Sequence, residues 1–278
     1  MNKIVFRIFM SVLIFLNSYS VDIHNVFSWE NIELLLLSIV SLFATIILSL
    51  VICRKIVADK KRRVITIQGI YRSNLALYGI PVGIAIYGEG NQGAIAILVA
   101  MIVPLYNIIA EVLLSSSSDQ HVPAKQMLKR VFSNPLVVAA LLGLSFSIGN
   151  VTFPQLLMDP LEKISKVATP LAFIIIGGSL SIDNLKRDWK EILSVSTLRL
   201  MVIPAIVFGI AVLMGMRTHS LVALLGVFAS PISVSSYTMA RARNIASEYA
   251  GGLVAVTTVA SIVTMFFWIT ILKYFNYI

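Results

Sequence analysis

The sequence has a single cysteine, Cys53, in 278 residues. A disulfide within the chain needs two thiols, as does a metal cluster of the CxxC kind, so both are excluded. The three histidines, His24, His121 and His219, do not have the HExxH spacing that predicts zinc, and no GxxxxGK[ST] loop is present to bind ATP. The sequence therefore predicts no metal, no cofactor and no built-in ATP motor.

Charged residues are also scarce. They make up 13% of the chain, whereas soluble domains carry roughly 25%. Hydrophobic residues make up 58%, a composition that suits a lipid environment. The formal net charge of +9 could suggest nucleic acid, but the basic residues fall between apolar runs instead of interleaving with aromatic residues. Nucleic acid is therefore not an expected partner.

Nine apolar runs approach or exceed the roughly 20 residues that a helix needs to cross a bilayer. They lie at residues 3–20, 32–53, 69–88, 92–115, 133–150, 161–180, 191–214, 221–241 and 249–272. The sequence thus predicts an all-α polytopic membrane protein, with one transporter-like membrane domain over residues 1–278.

The basic residues between these runs predict the orientation in the membrane. If successive runs alternate in direction, most Lys and Arg residues lie on one side, in the loops 54–68, 116–132, 182–190 and 241–248. The positive-inside rule places these loops in the cytoplasm, so we expect a multi-pass protein of the cytoplasmic membrane. The same loops could also hold anionic membrane lipid.

An ordered set of short matches predicts an internal inverted repeat. Three pairs recur in the same order: Lys3-Ile4 with Lys163-Ile164, Trp29-Glu30 with Trp189 and Glu191, and Pro81 and Tyr87 with Pro231 and Tyr237. Each run pairs with the run five places later, and because five is odd the paired runs cross the membrane in opposite directions. Inverted repeats are typical of secondary transporters.

The repeat predicts how the chain is divided. We assign residues 1–115 to the first repeat, residues 116–132 to a cytoplasmic loop and residues 133–278 to the second repeat. The run at 133–150 has no earlier partner. We therefore expect that the first repeat lacks its first helix, which would precede Met1.

Two runs contain helix breakers at matched positions, Gly79-Ile80-Pro81 and Ser230-Pro231. Broken helices are stable in membranes where they are buried or line a polar cavity, and their inner N-termini can bind an anion without a buried cation. The alternative is that proline and serine only kink and pack the helices. The expected ligand contacts are Asn74, Gly79, Ile80, Pro81, Ser230, Pro231, Ser233, Ser235 and Ser236.

Three further polar residues lie in apolar runs. Asn17 and Asn107 could line the same cavity or form hydrogen bonds between helices. Glu111 follows Asn107 by one turn, and a carboxylate within the membrane is a candidate for proton coupling. The alternative interpretation is that Glu111 lies at the cytoplasmic end of its helix and is simply hydrated.

The stretch from Arg72 to Pro81, RSNLALYGIP, resembles the asparagine and Gly-Ile-Pro signature of auxin efflux carrier family transporters. Further similarity lies in Asn134-Pro135-Leu136, in Thr169-Pro170-Leu171-Ala172 leading to Gly177-Gly178, and in Ala229-Ser230-Pro231 leading to Tyr237. The short middle loop is similar to that of bacterial members.

This resemblance implies ten helices in two inverted five-helix repeats, with the fourth and ninth helices broken and crossed. It implies that Asn74, Pro81 and Pro231 are the crossover residues, that the substrate is a small organic anion such as malonate or auxin, and that the protein forms homodimers. In two respects the chain departs from the pattern. Met1 aligns near the start of the second helix, and Ser11 stands where members usually have proline.

The function predicted from the sequence is a secondary carrier that moves a small carboxylate by alternating access. Proton coupling, sodium coupling and uniport are all compatible with the sequence. The alternative is a ligand-binding membrane sensor or an inactive truncated carrier. An enzyme is not expected, because no nucleophile, acid and base converge at one depth.

Overall fold

The computed structural model describes residues 2–20, 29–88, 93–117 and 123–278. His24, His121 and residues 118–122 of the predicted middle loop lie outside these ranges. All nine predicted apolar runs form helices in the described residues, two of them with an internal break, which confirms the all-α polytopic fold.

Twelve helices make up the described part of the chain. They are α1 (residues 2–19), α2 (Trp29–Ile56), α3 (Lys60–Tyr71), α4 (Leu75–Tyr87), α5 (Gly93–Ser116), α6 (Ala124–Phe132), α7 (Pro135–Ile148), α8 (Gln155–Ser179), α9 (Ile182–Leu213), α10 (Thr218–Ala229), α11 (Val234–Ala242) and α12 (Ser247–Tyr274). Two of the nine runs are therefore divided, one into α3 and α4 and the other into α10 and α11.

Four helices are long and apolar enough to cross a membrane unbroken. These are α2, α5, α9 and α12, with mean hydropathies of 2.8, 2.3, 2.1 and 2.0. On α2 the serines point inward and are buried, whereas the large apolar side chains of Leu36, Val40, Phe43 and Ile47 are exposed. Such a surface would be unfavourable in water and is stable against lipid chains.

The predicted basic segments meet at one end of the molecule, which we call the basic end. There Arg62 Nη2 lies 3.1 Å from a carboxylate oxygen of Asp188 and 2.8 Å from one of Glu191. At the opposite end the Tyr87 and His219 rings are 4.3 Å apart, and the Thr218 amide donates to the Tyr277 carbonyl at 2.8 Å. These contacts agree with runs that alternate in direction.

Several predicted loops at the basic end are largely helical. The segment 54–68 contains only a short connection, because Asp59 accepts hydrogen bonds from the Lys61 and Arg62 amides and so begins α3 at Lys60. Ser181 begins α9 in the same way. The first turns of these helices contain charged residues, which a search for apolar runs leaves out. The predicted runs therefore begin later than the helices do.

Each repeat has the order long helix, broken helix, long helix. In the first repeat α2 runs toward the basic end and α3, α4 and α5 follow. In the second repeat α9 runs away from the basic end and α10, α11 and α12 follow. The two sets therefore have opposite directions, as the inverted repeat predicts.

The two broken helices cross through a short piece of extended backbone, which we call the crossover. The Asn74 amide donates to the Pro231 carbonyl at 2.9 Å, and the Ser233 amide donates to the Arg72 carbonyl at 3.3 Å. Ser73 and Ile232 form the antiparallel bridge between these bonds. Backbone groups that leave the helices thus find partners in each other, as a membrane interior requires.

The predicted position of the first break was wrong. Pro81 lies inside α4, and the chain leaves helical geometry at Arg72, nine residues earlier, where φ is −90° and ψ is 111°. The bridging residues Ser73 and Ile232 are 159 positions apart, which follows the spacing of the Lys3 and Lys163 match and not that of Pro81 and Pro231. The break at Ser230-Pro231 is confirmed.

Close packing of two glycines holds the broken helices together. A Cβ atom on Gly226 of α10 would lie 2.8 Å from the Cα atom of Gly79 in α4. This distance is too short for two carbon atoms, so the backbone of one helix would have to move. In the structure Gly79 is therefore a packing contact between α4 and α10.

We expect Gly226→Ala to destabilise the protein by about 1–3 kcal/mol, the usual cost of overpacking a tight core. Gly209→Ala is the matched control, because a Cβ atom there meets nothing within 4 Å. Thermal unfolding in detergent measures both variants. Equal melting temperatures for the two variants would contradict the close contact.

Candidate functional site

A small cavity lies beside the crossover, between α1, α4, α5 and α11. Its volume is about 40 Å³. Polar side chains form one wall: Arg72, Ser73, Asn74, Tyr106, Asn107, Ser233 and Ser235. Side chains of α1 form the opposite wall, the apolar Met10, Leu13 and Ile14 and the polar Asn17. The structure thus brings five of the predicted polar residues, Asn17, Asn74, Asn107, Ser233 and Ser235, to one place.

Two helix N-termini open onto this cavity. Asn74 precedes α4 and Ser233 precedes α11, and neither side chain caps its own helix. Unsatisfied amides and the helix dipole make each N-terminus equivalent to roughly half a positive charge. Asn74 Nδ2 is also buried and has no hydrogen-bond acceptor within the described chain. An anion in the cavity would supply an acceptor to these groups.

Arg72 is a buried cation at the same cavity. Its side chain is 1% exposed. The guanidinium donates to Asn107 Oδ1 at 2.5 Å, to Ser235 Oγ at 2.8 Å, to Gln68 Oε1 at 3.3 Å and to Met239 Sδ at 3.1 Å. All four partners are neutral, and no carboxylate of the described residues lies within 4 Å. A buried cation, which the sequence analysis did not include among the site residues, therefore lies at the cavity.

Arg199 is a second buried arginine, on the far side of the crossover. Its guanidinium donates to the Val227 and Ser230 carbonyls at 2.6 and 3.3 Å, at the end of α10. It also donates to the Ile70 and Tyr71 carbonyls at 3.3 and 3.4 Å, at the end of α3. One cation thus caps both inner C-termini, where two dipole ends of about half a negative charge each offset it.

The two arginines differ in what compensates their charge. Arg199 is matched by the carbonyl ends of two helices. Arg72 faces two amide ends, which add to its charge instead of offsetting it. Arg72 and the two N-termini are thus the positively charged groups at the cavity, and no carboxylate of the described residues lies within 4 Å of Arg72.

Other predicted contacts lie away from the cavity. The Ser230 hydroxyl donates to the Gly226 carbonyl of its own helix at 2.6 Å, which is the packing role left open from the sequence. The Pro231 carbonyl is bound by the Asn74 amide. Pro81 is exposed on α4, Ile80 is half-buried there, and neither borders the cavity, nor does the buried Ser236.

Glu111 lies at the basic end of α5 and is fully buried. It forms an ion pair with Arg243, and Asn134 Nδ2 donates to its second oxygen at 2.5 Å. Its burial shows that the alternative of a hydrated carboxylate was wrong. Glu111 therefore lies outside the crossover cavity, in a network that joins α5, α7 and α11.

The comparison with protein families decides the class of the protein. A family model described as membrane transport protein matches residues 1–269. The chain belongs to this family of membrane transport proteins. A search of curated proteins found no match. Membership identifies a membrane transporter.

The sequence reasoning missed Arg199 and overlooked the charge of Arg72. Arg199 is the only charged residue between Glu191 and the end of the apolar run 191–214, and an ionisable residue in such a run is a signal of function or of a buried partner. That signal was available without a structure. The carbonyl groups that Arg199 binds come from two helices far apart in sequence, so only the fold shows its role.

We expect Arg199→Gln to destabilise the transporter by about 3 kcal/mol or more, because buried carbonyl groups lose their donors. Arg199→Lys is expected to restore only part of the loss, since an ammonium group lacks the planar fork that spans both helix ends. Thermal unfolding in detergent provides the measurement. Arg54→Gln, at an exposed position, is the control, and an equal loss in that variant would contradict the capping role.

Proposed function

We propose that this transporter is a secondary carrier of small organic anions, and that a carboxylate of the substrate binds at the crossover beside Arg72. The observation that carries the proposal is a buried guanidinium with only neutral partners, placed where two uncapped helix N-termini meet. A bound carboxylate would accept hydrogen bonds from these groups and offset their charge.

The depth of the site suits transport. With a rise of 1.5 Å per residue, α3 and α4 are each about 20 Å long, so Arg72 lies near the middle of the broken helix. A cation at the centre of a membrane helix costs about 2.5–3.5 kcal/mol on insertion scales. A charge held there at such a cost is consistent with a role in binding substrate.

The walls of the cavity belong to two groups of helices, which supports alternating access. α1 packs against α7 and α8, whereas α4 and α11 belong to the two broken helices that cross each other. If one group rocks against the other, the cavity opens first to one end and then to the other. Its small volume of about 40 Å³ corresponds to a closed arrangement.

Three further expectations belong to this proposal. The basic end faces the cytoplasm, because it collects most Lys and Arg residues. Glu111 is the candidate for proton coupling, since protonation would release Arg243 from its ion pair. The substrate class, malonate or a related carboxylate, and assembly as a homodimer follow from the resemblance to bacterial auxin efflux carrier proteins.

We expect proteoliposomes that contain the protein to take up labelled malonate or another small carboxylate in a saturable manner. Arg72→Gln should lower the uptake at least about tenfold, because a charge-assisted hydrogen bond contributes roughly 1.5–3 kcal/mol. Asn74→Ala should lower it by a smaller factor. Uptake by a panel of labelled carboxylates measures both effects.

Pro81→Ala is the matched control for this experiment, since Pro81 is exposed and lies away from the cavity. It should retain most of the uptake. Binding of carboxylate without uptake would favour a membrane sensor or an inactive carrier. Full uptake in Arg72→Gln, or loss in Pro81→Ala alone, would contradict the proposed site.

A further inference from the structure

A second cavity, which we call the vestibule, lies at the basic end and is distinct from the crossover cavity. Its volume is about 320 Å³. Among the described residues, four cationic side chains line it, Lys3, Arg7, Arg130 and Arg243, against the single carboxylate of Glu111. These cations come from α1, α6 and the segment that follows α11, so the positive charge is brought together by the fold.

The vestibule adjoins the crossover cavity. Phe6 of α1 borders the vestibule, and Met10, one turn later, borders the crossover cavity. On the other side Met239 borders the vestibule, and its sulfur accepts a hydrogen bond from Arg72 at 3.1 Å. Two buried side chains, Phe6 and Met239, therefore separate the two cavities.

One face of α1 follows this path from end to centre. Lys3, Phe6 and Arg7 border the vestibule, and Met10, Leu13, Ile14 and Asn17 border the crossover cavity. A spacing of three and four residues keeps these side chains on one face of a helix. The two cavities thus lie in series along the same wall.

Glu111 and Arg243 hold the inner part of the vestibule. Glu111 is fully buried and binds Arg243, Asn134 and Ser115. Arg243 keeps 30% of its side chain exposed toward the vestibule. A carboxylate that enters would meet the same guanidinium that Glu111 already binds, so the two acids would compete for one cation.

We propose that the vestibule is a second anion-binding site on the route to the crossover, and that an entering carboxylate binds Arg243 in competition with Glu111. This inference rests on the proposed transport function for its place in the route. The binding itself does not depend on transport. A cleft lined mainly by cations concentrates anions and raises their rate of association about 10–10³-fold.

The test uses a cysteine placed in the vestibule. Cys53 is the only cysteine of the chain and is buried, so Cys53→Ser provides a background without thiols. Ser133→Cys introduces a thiol at an exposed residue that lines the vestibule. Gln155→Cys introduces the control thiol, exposed at the opposite end. Both are studied in nanodiscs of neutral phosphatidylcholine.

The thiols are labelled with an anionic sulfonatoethyl methanethiosulfonate and a cationic trimethylammonium methanethiosulfonate. The ratio of the anionic to the cationic rate should be at least about tenfold higher for Ser133→Cys than for Gln155→Cys. Malonate should slow the labelling of Ser133→Cys only. Arg130→Gln and Arg243→Gln should each lower the ratio. Equal ratios at the two positions, or no protection by malonate, would overturn the proposal.

Competition with Glu111 has its own readout. Glu111→Gln removes the competing charge, so half-protection by malonate should need about fivefold less malonate, the effect of one unit charge at about 4 Å in water. In Arg243→Gln, half-protection should require a higher malonate concentration than in the parent protein. An unchanged midpoint in both variants would overturn the competition. If phosphatidylglycerol slows labelling and malonate does not, the occupant is a lipid headgroup and the entry route is wrong.

The outcomes separate this inference from the proposed function. Arg72→Gln, made in the same background, should lose uptake and keep protection by malonate in the vestibule. Normal uptake, without protection of Ser133→Cys by malonate, would overturn only the proposal of an anion site in the vestibule. Protection without any uptake would support the vestibule and contradict the carrier.

Discussion

The crossover depends on the way in which Arg199 binds the carbonyl ends of two helices. A membrane helix that stops halfway leaves carbonyl groups without partners, and each such group costs several kcal/mol in hydrocarbon. Here α3 and α10 both stop, and one guanidinium donates hydrogen bonds to the carbonyl groups of both ends. The backbone bonds at Asn74 and Ser233 then pair the extended residues with each other.

The same geometry creates the proposed binding site. When the carbonyl ends of two half-helices face Arg199, the amide ends of the other two half-helices, α4 and α11, must face away from it, toward the cavity. Arg72 adds its charge on that side with only neutral partners. The charge of Arg199 is thus offset by helix carbonyl ends on one side of the crossover. On the other side the charge of Arg72 has no such partner, which is why an anion is the expected ligand.

Much of the fold could be predicted from the sequence, because hydrophobic length reports directly on membrane crossing. All nine runs became helices, and the inverted order followed from matches such as Lys3 with Lys163. The break at Pro231 was predictable as well, since proline removes a donor and keeps the preceding residue extended. Ser230 is extended, with ψ at 155°.

The rest could not be predicted because it depends on contacts between distant residues. The first broken helix has no proline at its break. Its extended residue Ser73 pairs instead with the backbone of Ile232 in the second repeat. Pro81 lies inside α4, so it was a misleading local signal. The polar lining was found because asparagine and serine in apolar runs are unusual, as with Asn107. The cations were missed because arginine was interpreted only as a marker of orientation, and burial is a property of the fold.

The most direct test of the account is a distance between bound anion and Arg72. Solid-state NMR on ¹⁵N-arginine protein with ¹³C-carboxylate malonate measures dipolar contacts between guanidinium and carboxylate. We predict a contact to the Arg72 guanidinium within about 4 Å, as in a hydrogen-bonded pair, that is lost in Arg72→Lys and remains in Arg243→Lys, whereas a contact in the vestibule is lost only in Arg243→Lys. Contacts that are unchanged by Arg72→Lys would contradict the central claim that the crossover holds the anion.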